Sequence, residues 1–192
     1  MTTGRIQRTE EEIRKRPINR CQTVYALRAY QDEMYSVTRE AAEEGKPTAW
    51  CMREMFCSMI LNDMGVETVY PENFGTVCAS ARAITPYLER SEAEGFPNYV
   101  CSYMQNTFGY TSRMLNELGG EIPEEAPRGG MARPTFLLCS GRGCEARYKA
   151  FQALGRYFDA PVWVTELPGR GAREQLMEGA YERDVKFLTK GI

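Results

Sequence analysis

The sequence predicts an α/β chain: an open parallel sheet of four to five strands with helices on both faces, preceded by an N-terminal helical arm. Three observations lead there. Short apolar runs rich in β-branched and aromatic residues alternate with longer stretches whose apolar residues recur at helical spacing. Gly and Pro stand at the junctions between them. The composition, 43% hydrophobic and 26% charged over 192 residues, is that of an ordinary globular domain.

The elements follow in order. Residues 1–20 are charged, carry Pro17 and read as an arm. Residues 21–192 read as a single α/β domain. From Cys21 to about Glu44, Val24, Leu27, Met34 and Val37 recur near helical spacing, and Gly45-Lys46-Pro47 stops the helix. Thr48 to Met52 reads as a strand, Met55 to Met64 as a helix closed by Gly65, and Val66 to Tyr70 as a strand stopped by Pro71. Gly75 to Glu94 reads as one helix closed by Gly95. Asn98 to Cys101 reads as a short strand, and Tyr103 to Leu118 as a helix ended by Gly119-Gly120. A Pro- and Gly-rich loop covers 121–134. Thr135 to Cys139 is an apolar strand, followed by the turn Ser140-Gly141-Arg142-Gly143 and a helix from Cys144 to Phe158. Pro161 to Thr165 is a further strand, and Ala172 to Leu188 a last helix. Strands alternating with helices imply right-handed βαβ crossovers, the open sheet of Rossmann- and flavodoxin-like domains.

Charge and composition exclude several functions. Lys and Arg number 24 against 26 Asp and Glu, a net charge of −2, so the chain has no basic footprint for nucleic acid or an anionic membrane. No apolar run is long enough to span a bilayer. The first residues lack the apolar core of a secretory signal, so the expected location is the cytoplasm. Histidine is absent, which removes Ser-His-Asp and Cys-His catalysis and His-ligated zinc. Gly141-x-Gly143 falls short of a GxGxxG fingerprint, and no GxxxxGK[ST] loop is present.

Seven cysteines in a chain without an export signal point to reduced thiols that pack, bind metal or react. Ligands of open α/β sheets bind beyond the carboxyl ends of the strands. Cys51, Cys101, Cys139 and Cys144 fall at or just past predicted strand ends, while Cys21, Cys57 and Cys78 lie within predicted helices and read as core filler. Thiolates are soft ligands for iron–sulfur clusters or zinc. The helices opening after Cys101 and Cys144 aim N–H groups and a partial positive charge at the same edge. Glu72 and Asn73 follow a strand into that crevice as candidate ligand contacts, with a helix cap as the plainer role for Asn73. Of the aromatics Tyr103, Phe108 and Tyr110, most should be core and one could face a ligand. Arg142 and Arg147 are candidate phosphate contacts, with solvated surface charge as the default reading.

These residues form a known pattern. Trp50-Cys51-Met52, Tyr70-Pro71-Glu72-Asn73-Phe74-Gly75-Thr76-Val77-Cys78, Val100-Cys101-Ser102-Tyr103, Gly129-Gly130-Met131-Ala132-Arg133-Pro134, and Cys144 with Phe151-Gln152-Ala153-Leu154-Gly155-Arg156-Tyr157 occur in that order. The chain resembles the 2-hydroxyacyl-CoA dehydratase / benzoyl-CoA reductase family, and within it the B-type subunit of ATP-dependent benzoyl-CoA reductase. The resemblance implies a subunit that pairs with a homologous second subunit as a heterodimer. It implies a [4Fe–4S] cluster held by three cysteines between two α/β domains. It also implies a separate ATP-hydrolysing activator, with its own cluster, that delivers single electrons at low potential. The substrate class implied is an acyl-CoA thioester: benzoyl-CoA, reduced to a cyclic diene in anaerobic aromatic degradation, or a 2-hydroxyacyl-CoA, dehydrated through a ketyl radical.

Carried over by position, Cys101 and Cys144 match two cluster ligands, and the third is expected from a C-terminal half that this sequence does not contain. On that basis 21–192 corresponds to the first domain of a two-domain subunit. Cys139 matches no ligand position and would tune the cluster from behind. Glu72, Asn73, Tyr103 and Arg142 are the expected substrate contacts. No catalytic residue is assigned. The expectation is therefore an iron–sulfur subunit, or its N-terminal part, that performs one-electron chemistry on an acyl-CoA. The alternative is a truncated, non-catalytic α/β module that pairs with a full-length subunit. A structural zinc on the same thiols is a third reading.

Overall fold

A computed structural model describes residues 22–52, 57–141, 144–165, 182 and 186. The charged arm, Cys21, Arg142 and the helix expected at 172–188, apart from residues 182 and 186, lie outside the described residues. Helix α1 is Gln22–Glu43, and β1 is Thr48–Cys51. Then come α2, Cys57–Asp63, and β2, Glu67–Val69. Three helices follow: α3, Pro71–Ser80, α4, Thr85–Ala93, and α5, Ser102–Ser112. Strand β3, Phe136–Ser140, leads into α6, Glu145–Phe158, and β4, Val162–Thr165.

The four strands form one sheet in the order β2-β1-β3-β4, and every pairing is parallel. Trp50 stands opposite Val69 on one side and Leu137 on the other, and Leu138 stands opposite Trp163. The chain leaves β1 toward β2 and later returns to the other side of β1 as β3. The strand order therefore reverses between β1 and β3, the place beyond the strand ends, here Cys51 and Ser140, where open sheets of this kind bind ligands. Ala49, Trp50, Cys51, Leu137 and Cys139 are all fully buried, as expected for central strands covered by crossovers.

The sheet is covered by helices chosen for fit. On α6, Arg147, Ala150, Phe151, Leu154, Gly155 and Phe158 form the buried stripe at helical spacing. Phe158 meets Trp50 edge-on, with ring centroids 4.9 Å apart. Helix α5 is the central one, buried from Met104 through Ser112, and it continues as a π-helical turn, Arg113–Glu117. It crosses α4 so closely that a Cβ on Gly109 would lie 2.6 Å from the Tyr87 carbonyl carbon.

Two expectations about the elements are corrected. The helix expected at 75–94 is two helices. The first starts at Pro71, whose missing N–H costs nothing at a helix start. The chain turns between them through Arg82, at φ 59°. The strand expected at Asn98–Cys101 is absent: Val100 N–H donates to the Pro97 carbonyl in a turn, and Cys101 opens α5 directly. The sheet has four strands among the described residues, within the expected four to five. No described helix is long and apolar enough to cross a membrane.

Candidate functional site

Cys101 and Cys144 occupy the same structural position in two helices: each is the N-cap, the residue before the first helical turn, of α5 and of α6. Both are exposed, in contrast to Cys51, Cys78 and Cys139, which are buried. Neither uses its side chain to cap its helix. The Cys101 carbonyl accepts from the Met104 and Gln105 amides at 2.9 and 3.0 Å, so its backbone is fixed while its thiol is left outward. A helix N-terminus presents unpaired N–H groups and a partial positive charge, which suits an anionic ligand.

Helix α3 is the element that both cysteine-bearing helix starts touch. Glu72, in its first turn, accepts a hydrogen bond and ion pair from Arg147 Nη1 of α6 at 3.0 Å, with the second carboxylate oxygen at 3.4 Å. Arg147 lies one turn past Cys144. Gly75, one turn past Glu72, is the floor on which Tyr103 lies, two residues after Cys101: a Cβ on Gly75 would meet the Tyr103 ring at 2.9 Å. The lack of a side chain at residue 75 is what lets the ring seat there. Tyr103 keeps 42% of its surface exposed.

The sequence-expected contacts thus divide. Glu72 lies in the first turn of α3, where it meets Arg147 in the first turn of α6, and Tyr103 lies in the first turn of α5, against Gly75 of α3. Asn73 is not a helix cap, because Tyr70 holds that position; its Oδ1 accepts from the Tyr35 hydroxyl at 2.9 Å, which ties α3 to α1. Arg142 lies outside the described residues. Arg147 is corrected from a solvated surface charge to a buried, paired one. Phe108 and Tyr110 are core, as expected. The Glu72–Arg147 pairing joins residues 75 positions apart, so no local pattern could announce it.

Burial separates the remaining thiols chemically. It pushes Cys139 up to about 11 and Cys78 up to about 12. Both are therefore protonated, inert core residues near neutral pH. Among the described residues, no three His, Cys, Asp or Glu side chains gather closely enough to hold a metal ion. The donor chemistry present is two exposed thiols at helix starts: suited to a soft metal, but short of a complete ligand set.

Four parallel strands whose order reverses between β1 and β3, with exposed cysteines at the N-termini of two helices, define a chain of the open parallel α/β class. A family model for the 2-hydroxyglutaryl-CoA dehydratase D-component matches residues 54–191, and the chain belongs to that family. It is 28% identical over 129 residues to the (R)-phenyllactyl-CoA dehydratase alpha subunit of Clostridium sporogenes, a match covering 67% of this chain. It is 28% identical over 130 residues, 68% of the chain, to the (R)-2-hydroxyisocaproyl-CoA dehydratase alpha subunit of Clostridioides difficile. The match spans only 29% of the length of each of these relatives.

Proposed function

We propose that this chain supplies part of the metal-bearing wall of an acyl-CoA dehydratase-type subunit, with Cys101 and Cys144 as two ligands of a [4Fe–4S] cluster. The observation that supports this is their shared placement: of the cysteines whose side chains are described, the two exposed ones are both N-caps, on helices whose first turns meet α3. The third ligand comes from outside the described residues. When bound, the cluster supplies one-electron chemistry at low potential. The chain's own residues hold the ligands and shape the wall beside them. Tyr103 presents a half-exposed ring there, and the helix starts offer N–H groups to an anionic or carbonyl oxygen.

The substrate class is an acyl-CoA thioester. Dehydration of a 2-hydroxyacyl-CoA is favoured over reduction of benzoyl-CoA, because the two relatives are by name dehydratase alpha subunits. Those names, as alpha subunits, also favour a partner subunit. An ATP-hydrolysing activator would supply electrons from its own cluster.

The test is anaerobic reconstitution with iron, sulfide and excess dithiothreitol, the free thiol filling ligand positions that the chain leaves open. Wild type should bind iron and show broad iron–sulfur absorbance, and Cys101→Ala and Cys144→Ala should each lose most of it. Loading indifferent to both substitutions would overturn the reading and leave a non-catalytic α/β module. Stoichiometric zinc without colour would assign the thiols to a structural site instead.

A further inference from the structure

Helix α3 touches the starts of both cysteine-bearing helices through one face. Glu72 and Gly75 are three residues apart, hence neighbours on that face. Gly75 seats Tyr103, two residues from Cys101, and Glu72 binds Arg147, three residues from Cys144. Helix α3 packs closely against α5 and not comparably against α6, and the ion pair connects its first turn to α6.

The placement of Arg147 is not explained by α6 itself. A cation in the first turn of a helix faces the positive end of the helix dipole, which disfavours it. The pair is also nearly buried, with the Arg147 and Glu72 side chains 11% and 17% exposed. A buried ion pair adds little net stability over an apolar contact of the same size, but it demands one geometry. A group that gains its helix nothing and yet enforces one arrangement is suited to setting a distance.

We propose that Glu72 and Arg147 are positioning residues: their ion pair fixes the α6 start against α3, and with the Gly75–Tyr103 contact it sets the separation of the Cys101 and Cys144 thiols. The significance of that separation rests on the reading of the two thiols as ligands to one cluster. The positioning itself is a property of the chain and is measurable without metal.

The experiment uses the full chain with Cys21→Ser and Cys57→Ser, so that nitroxide labels go to Cys101 and Cys144; the other three cysteines are buried. Dipolar broadening between the labels reports the distribution of their separation. The parent should give a narrow distribution. Glu72→Gln and Arg147→Met should each lose it, and the charge-swapped pair Glu72→Arg with Arg147→Glu should regain it. Arg147→Lys, the milder change if the others fail to fold, should give an intermediate width. Circular dichroism confirms folding in each case. An unchanged distribution in the folded single variants overturns the proposal, as does a charge swap that fails to restore the width. Iron loading of the same proteins separates this from the reading of the site. Broadening without any iron binding upholds the positioning and refutes the cluster. Iron binding that depends on Cys101 and Cys144, with no change of width, does the reverse.

Discussion

The Tyr110 hydroxyl and the Met131 peptide exchange two hydrogen bonds: the hydroxyl donates to the Met131 carbonyl at 2.7 Å and accepts from the Met131 N–H at 2.8 Å. Tyr110 is fully buried on α5, and Met131 lies in the loop that leads to β3. One side chain therefore satisfies both polar groups of a buried loop residue, as a strand neighbour would. Gly130 lets the loop come this close, because a Cβ there would sit 2.7 Å from the Tyr110 oxygen.

Tyr110→Phe keeps the ring and removes only the oxygen. It strands a buried N–H and a buried carbonyl, so it should destabilise the fold by about 2–4 kcal/mol. Urea denaturation with an unchanged slope would measure this. A loss under about 0.5 kcal/mol would show that the loop finds other partners.

The crossing of α4 and α5 at Gly109 yields a second prediction. A methyl at 109 would meet the Tyr87 backbone, 2.6 Å from its carbonyl carbon and 2.8 Å from its Cα, and backbone cannot swing aside. Gly109→Ala should cost about 3 kcal/mol or more, although alanine is the better helix former. Gly141→Ala is the control: nothing lies within 4 Å of its added methyl, and it should shift the urea midpoint negligibly.

The strands at 48–52 and 135–139 were legible because central parallel strands must be apolar on both faces. Trp50, Leu137 and Leu138 are buried as that rule requires. The amphipathic stripe of α6 was legible for the same kind of reason. The break between α3 and α4 had a signal that the helical periodicity of 75–94 outweighed: Pro86 cannot sit in a helix interior, and it falls in the first turn of α4. Arg82 at φ 59° had no such signal, since Arg is not a left-handed residue by preference. Val100 reads as strand by propensity, but Pro97 and Asn98 before it form a turn. At the site, the N-terminal placement of Cys101 and Cys144 followed from where their helices start. The pairing of Glu72 with Arg147 did not, because it depends on how two distant helices dock.

Thiol burial sets an alkaline limit on stability. Burial raises Cys139 to about 11 and Cys78 to about 12, and it raises Tyr35, Tyr87 and Tyr110 as well. Each of these groups holds its proton more tightly folded than unfolded. As pH climbs above about 8.5, the unfolded chain releases thiol protons that the native chain keeps, so stability falls with pH. The contribution is whole below the unfolded thiol pKa and is lost as pH rises toward 11–12. Urea midpoints under reducing conditions should hold steady from pH 7 to about 8.5 and decline by pH 10. In native protein at pH 8, iodoacetamide should modify Cys101 and Cys144 and spare Cys51, Cys78 and Cys139, as read by peptide mass spectrometry. Rapid labelling of Cys139 would contradict its burial.

The Glu72–Arg147 pair makes an energetic prediction separate from its geometric role. The carboxylate lies within 3.0 and 3.4 Å of one guanidinium nitrogen, and both side chains are less than one-fifth exposed. Removing either partner leaves the other charge with little water to replace it. Glu72→Ala and Arg147→Ala should therefore each destabilise by about 2–3 kcal/mol, below the cost of breaking a wholly buried pair because some solvent reaches Glu72. In the double variant no charge is left stranded. Its loss should fall short of the sum of the two single losses by about 1–2 kcal/mol. Three urea titrations against wild type close that cycle. Strict additivity would mean that the two charges do not sense each other in solution, and the attachment of α6 to α3 would then have to rest on packing alone.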